Sequence, residues 1–156
     1  MGSEHPINDK GQAIFLVVYL LVWGLDSFIF HFSTMFADAV PIFIRLPLGI
    51  LSLVFGIYLI AKSEAAVFSR TSNPKLTTSG VYAWVRHPMY LGSLLFLLAF
   101  FLATLSLLSL LVWIGLFIFY DRMATYEERD LISIVGEQYL NYQKQVPKWL
   151  MRIRRV

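Results

Sequence analysis

The 156-residue chain has no cysteine, which excludes disulfide frameworks, thiolate metal sites and a cysteine nucleophile. Histidine is nearly as scarce: His5, His31 and His87 are far apart, and a catalytic zinc needs about three protein ligands. A metal-free chemistry is therefore expected. Charge is also sparse, at 15% of residues against roughly 25% in soluble domains. No aromatic-basic surface suited to nucleic acid is present. Nor is there a glycine-rich strand-turn-helix, which excludes the Rossmann way of holding a nucleotide-like cofactor.

What fills the chain is apolar side chains, at 58% of residues. Too few polar groups remain to coat a globule of this size, so much of the surface is expected to face lipid. The formal charge of +3 sits in connections and at the C-terminal end, a distribution suited to anionic phospholipid headgroups. The polar opening, residues 1–12, lacks a basic region and a small-residue cleavage site, so the apolar run after it is expected to be a retained span.

Hydrophobic runs predict an all-α integral membrane bundle of about four spans, near 13–32, 40–61, 89–104 and 106–123. A C-terminal amphipathic helix follows. Pro41, Arg45 and Pro47 predict a late start or kink in the second span. Residues 62–88 read as a polar connection. The 30 residues 91–120 carry no acidic or basic group and would make a single helix of about 45 Å, half as long again as a bilayer core requires. Basic residues resolve this. Lys62, Arg70, Lys75 and Arg86 precede the run and seven basic residues follow it, whereas 33–39 has none. A hairpin turning near Ala103-Thr104-Leu105-Ser106 puts both basic regions on one face, with both termini cytoplasmic. The host membrane would be the inner membrane in a bacterium or the endoplasmic reticulum in a eukaryote.

Asp26 and Arg45 are the charges inside spans. Both lie roughly 8–9 Å below the outer surface, so a structural ion pair between the first two helices is expected. Beyond residue 120, Tyr120, Ala124, Glu127 and Leu131 share one helical face, and Arg122, Tyr126 and Arg129 another. Residues 148–155 alternate apolar and basic groups as a headgroup-level segment does.

Chemistry concentrates around Gly80, Tyr82, Trp84 and Arg86-His87-Pro88-Met89-Tyr90-Leu91-Gly92, and again at Glu127-Glu128. Read blandly, the first cluster is an aromatic and arginine interface anchor and the second a solvated helix face. In order and spacing, however, the RHPxYxG element, Glu127-Glu128 with Leu131, and Gly136, Tyr139, Tyr142 and Val146-Pro147 resemble the isoprenylcysteine carboxyl methyltransferase family and its phospholipid methyltransferase-like relatives. Val135 departs from that pattern, in which an aromatic residue commonly precedes the glycine.

The resemblance implies one membrane-embedded methyltransferase domain over 1–156 whose C-terminal half, 76–150, binds S-adenosylmethionine. It assigns Tyr82, His87, Tyr90, Glu127 and Glu128 to the cofactor. Arg86, His87, Arg122 and Glu127 are the catalytic candidates, with the two arginines orienting the acceptor. The implied partners are the bilayer and an amphiphilic methyl acceptor, an isoprenylcysteine carboxylate first. Phosphatidylethanolamine and small thiols are alternatives. An NADPH-dependent sterol reductase-like protein and a non-enzymatic scaffold are the competing classes.

Overall fold

The computed structural model describes residues 6–68 and 76–149, and every element among them is helical. Arg70, Lys75 and the basic stretch 150–155 lie outside the described residues. The elements are α1 (Pro6–Leu25), α2 (Ile42–Phe68), α3 (Pro88–Thr104), α4 (Leu107–Val135) and α5 (Glu137–Gln145). A π-helical turn, Asp26–Phe30, extends α1, and short 3-10 turns occupy Met35–Ala37 and Gly80–Ala83.

Three of these helices are long and apolar enough to cross a membrane: Gly11–Phe30, Ile42–Ala66 and Leu107–Val135. At 17 residues α3 is the short member, about 26 Å long. Three boundaries differ from the hydropathy reading, the first being α1, which begins at Pro6 rather than near 13. The second span runs to Phe68 rather than ending at Ala61, because Lys62, Ser63 and Glu64 interrupt the apolar run without breaking the helix; Ser63 turns its hydroxyl onto the Leu59 carbonyl at 2.6 Å. The fourth span and the amphipathic stretch are one 29-residue helix. No Gly or Pro stands between Asp121 and Val135, and Met123, Ala124 and Glu128 are buried along it.

Side-chain to backbone bonds fix the bundle. Trp23 donates to the Phe100 carbonyl and Thr104 Oγ1, both at 3.0 Å, and Tyr19 donates to the Leu97 carbonyl at 2.6 Å, so α1 runs alongside α3 in the same direction. α2 runs opposite to α3, and their backbones nearly touch: a Cβ on Gly56 would lie 2.7 Å from both the Gly92 carbonyl oxygen and the Phe96 nitrogen. Only glycine permits that approach. Trp113 on α4 donates to the Leu94 carbonyl at 2.8 Å and closes the core around Tyr90, Leu94, Leu97, Leu116 and Tyr120. The outward faces of α1 and α2 stay apolar and uncovered, as with Phe43 at 74% and Leu51 at 66% exposure.

The pairing of Asp26 with Arg45 is not formed. Asp26, 2% exposed, accepts from the Ser33 N–H at 3.0 Å, the Ser33 hydroxyl at 2.5 Å and the Ser106 hydroxyl at 2.5 Å. Ser33 in turn receives the N–H groups of Leu107 and Leu108, so a carboxylate stitches the end of α1 to the start of α4. Neutral hydroxyls and a backbone N–H satisfy the charge more compactly than a guanidinium from α2 would. The Arg45 Nε is left buried with no hydrogen-bond partner.

Candidate functional site

At the other end of the bundle, α3 begins beside the second half of α4. Pro88 occupies the first turn of α3, where its missing N–H costs no hydrogen bond, and His87 stands at the N-cap position. Gly136 ends α4 at φ 58°, a left-handed backbone that favours glycine, and turns the chain so that α5 folds back. Two bonds tie this return to the segment before α3: Tyr142 donates to the Tyr82 carbonyl at 2.6 Å, and the Arg86 N–H to the Pro147 carbonyl at 3.0 Å.

A cavity of about 260 Å³ opens between these pieces. Leu76, Thr77, Tyr82, Arg86, His87, Met89, Tyr90, Glu127, Leu131, Tyr139 and Tyr142 are among its walls. Of the residues singled out from sequence, Tyr82, Arg86, His87, Tyr90 and Glu127 line it. Glu128 sits directly behind, 8% exposed. Arg122 does not join them; it lies on the exposed face of α4.

The two glutamates differ in surroundings. Glu128 Oε1 contacts His87 Nε2 at 2.9 Å and the Arg86 Nε at 3.3 Å, while its Oε2 accepts from Gln143 at 2.9 Å. The Arg86 Nε contact is an ion pair without an aligned hydrogen bond. Glu127, with 42% of its side chain exposed, accepts from the Tyr90 hydroxyl and approaches His87 Nδ1 at 3.7 Å. Arg86 is thus matched by the buried Glu128, and Glu127 is the carboxylate left facing the cavity. Burial pushes the Tyr139 phenol up, with Glu128 adding to the shift, so it stays a neutral wall.

Aromatic rings stiffen the arrangement. Tyr90 stacks on Tyr120 at 4.9 Å and on His87 at 5.8 Å. Trp149 packs against Phe117 at 5.4 Å and His87 at 6.2 Å, and its indole N–H donates to Asp121 Oδ1 at 2.8 Å. Lys148 Nζ reaches the same Asp121 oxygen at 2.6 Å and Thr125 Oγ1 at 2.8 Å. This Asp121 clasp, and Gln143 behind Glu128, were not singled out as site residues from the sequence. Tyr139 and Tyr142 carried a signal in their i, i+3 spacing, which puts both rings on one face of a helix. Asp121 and Lys148 carried none, being 27 residues apart.

The chain is similar to known proteins over a stretch that takes in α2 as well as the cavity. A family model described as phospholipid methyltransferase matches residues 44–138. A protein-S-isoprenylcysteine O-methyltransferase from Schizosaccharomyces pombe is 37% identical over 91 residues, covering 54% of this chain and 36% of that protein. The Mus musculus protein of the same name is 34% identical over 121 residues, 69% of this chain and 42% of the relative. A methanethiol S-methyltransferase from Pseudomonas deceptionensis is 42% identical over 76 residues, 48% of this chain and 28% of the relative. The matches therefore cover well under two thirds of these relatives' own lengths. No solved structure matches the chain.

Proposed function

Because the chain belongs to the phospholipid methyltransferase family, we propose that it transfers a methyl group from S-adenosylmethionine to a lipidic acceptor, an isoprenylcysteine carboxylate or a group like it. The observation that carries this reading is the convergence of Tyr82, Arg86, His87, Tyr90 and Glu127 on one cavity at the end of the apolar bundle.

The donor set fits the proposed cofactor. S-adenosylmethionine carries a sulfonium, an ammonium, a carboxylate, ribose hydroxyls and an adenine. Glu127 offers a carboxylate to a cation or a hydroxyl, Arg86 a guanidinium to the carboxylate, and Tyr82, Tyr90, Tyr139 and Tyr142 offer aromatic walls. When bound, the cofactor supplies an electrophilic methyl group. Tyr90 donates to Glu127 and fixes the rotamer of the carboxylate. Glu128 positions His87 and Arg86 from behind rather than meeting a ligand. Trp149, packed on Phe117 and beside His87, presents apolar surface next to the site.

Proton handling depends on the acceptor. A carboxylate is already ionised and requires alignment only. A thiol or amine must lose a proton, and His87 Nδ1 or Glu127 is the group in reach. Thiol transfer is the second reading, favoured by the resemblance to a methanethiol S-methyltransferase at 42% identity. The protein would work as a multi-pass membrane enzyme with the site at the cytoplasmic face and both termini there.

The test is methyl transfer from labelled S-adenosylmethionine to S-farnesylcysteine analogues, phosphatidylethanolamine and methanethiol by the purified chain. Transfer to the farnesylated carboxylate supports the first reading, and transfer to methanethiol alone replaces it with the second. No transfer, together with no binding of S-adenosylhomocysteine, rejects both.

A further inference from the structure

At the end of the bundle away from the cavity, a second hollow of about 260 Å³ opens between α1, α2 and α3. Its walls include Trp23, Leu46, Gly49, Leu53, Ala99 and Phe100. Almost nothing polar faces it, since the Trp23 N–H is already spent on the Phe100 carbonyl and Thr104. Gly49 makes the hollow by bringing α2 against α3: a Cβ there would lie 3.2 Å from the Ala99 carbonyl oxygen. One turn toward the start of α2 from Gly49 stands Arg45, whose Nε is buried without a hydrogen-bond partner. Asp26, the nearest candidate counter-charge by depth, is taken up by Ser33 and Ser106.

Among the described residues no carboxylate forms an ion pair with Arg45, and a guanidinium at membrane depth without a counter-charge is costly unless an anion reaches it. An apolar furrow beside a single cation is complementary to a molecule with an acyl chain and one anionic head. We propose that this furrow is a binding site for an anionic phospholipid, with the phosphate on Arg45 and one chain laid along Trp23, Gly49, Leu53 and Ala99.

The methyl acceptor does not suit this place. Arg45 is on the first turns of α2 beside the end of α3, whereas His87 and Glu127 stand at the start of α3 and the second half of α4. A molecule seated here keeps its polar end in the opposite leaflet from the cavity. The site is independent of the methyl-transfer reading and survives its failure.

Trp23 supplies the measurement. The full chain is reconstituted in nanodiscs and titrated with phosphatidylglycerol or phosphatidylcholine carrying brominated acyl chains, with quenching of indole fluorescence as the readout. Phosphatidylglycerol is expected to quench at about fivefold lower mole fraction than phosphatidylcholine, the preference that one basic residue near the surface provides. Trp23→Phe removes this preferential component, Arg45→Gln abolishes the preference and Arg45→Lys retains it. Equal quenching of the wild-type protein by the two lipids overturns the proposal without recourse to any variant. An unchanged preference in Arg45→Gln, or protection of Trp23 by a second copy of the chain, overturns it as well.

Discussion

Glu127 and Glu128 are adjacent in the chain, yet Glu128 is enclosed by Arg86, His87 and Gln143 while Glu127 keeps 42% of its side chain open toward the cavity. One helical step of 100° separates a carboxylate that holds the scaffold from one that can meet a ligand.

Substitution should separate the two. Glu128→Gln leaves Arg86 with a neutral partner in a buried setting, and loss of such a partner costs about 3 kcal/mol, read as a lowered Tm in detergent. Glu127→Gln should leave Tm close to wild type and weaken S-adenosylhomocysteine binding about tenfold by calorimetry, through loss of charge-assisted contacts. The reverse pattern would reassign the roles.

The α2–α3 crossing should be intolerant of any side chain at Gly56. With backbone atoms at 2.7 Å from an added Cβ, Gly56→Ala is expected to cost about 1–3 kcal/mol in thermal unfolding. Gly24→Ala, where nothing lies within 4 Å, serves as the control and should not lower stability.

Asp26 and Arg45 should behave as independent positions. Asp26→Asn removes the charge and replaces one of the two carboxylate oxygens with an NH2 donor, so the N–H of Ser33 and the hydroxyls of Ser33 and Ser106 are left to share a single neutral acceptor, and is expected to cost about 1–3 kcal/mol. Combined with Arg45→Gln, the losses should add within about 0.5 kcal/mol. Partial rescue in the double variant would restore the ion pair that depth alone had suggested.

Single cysteines at Ser79 and Lys144 should label from one face of the membrane and one at Asp38 from the other. The motive is that the Arg86 N–H and Pro147 carbonyl meet at 3.0 Å, whereas the connection holding Asp38 adjoins the Ser33–Leu107 contact. The chain has no cysteine to confuse the readout. Labelling of residues 79 and 144 from opposite faces would be incompatible with this fold.

Shortening the tail of the acceptor should lower kcat/KM, since each buried methylene contributes about 0.8 kcal/mol. Equal kcat/KM for farnesyl and tailless acceptors would favour the small-thiol reading.

These contrasts also mark where the sequence was informative. The apolar runs gave the helices because a membrane demands about twenty such residues, whereas RHPxYxG and Glu127-Glu128, read alone as an interface anchor and a solvated face, drew attention to this region only through the family resemblance. Depth, counted in residues, put Asp26 level with Arg45 but carried no information on rotation, so the claim of Ser33 and Ser106 on Asp26 was invisible. The same limit hid the difference between Glu127 and Glu128. The amphipathic pattern beyond residue 120 read as a helix following the fourth span, and the structure shows that α4 runs on through it, with Asp121 turned to Lys148 and Trp149.

α4 carries Ser106 at its cap and Glu127 in its later turns, 21 residues apart and so about 32 Å along the axis. Because Ser106 is anchored to Asp26, that rod works as a gauge. The height of the carboxylate above the far surface is set by residue count rather than by the thickness of the surrounding lipid. Inserting a single residue midway would lift Glu127 by about 1.5 Å and swing it by about 100°, out of reach of Tyr90.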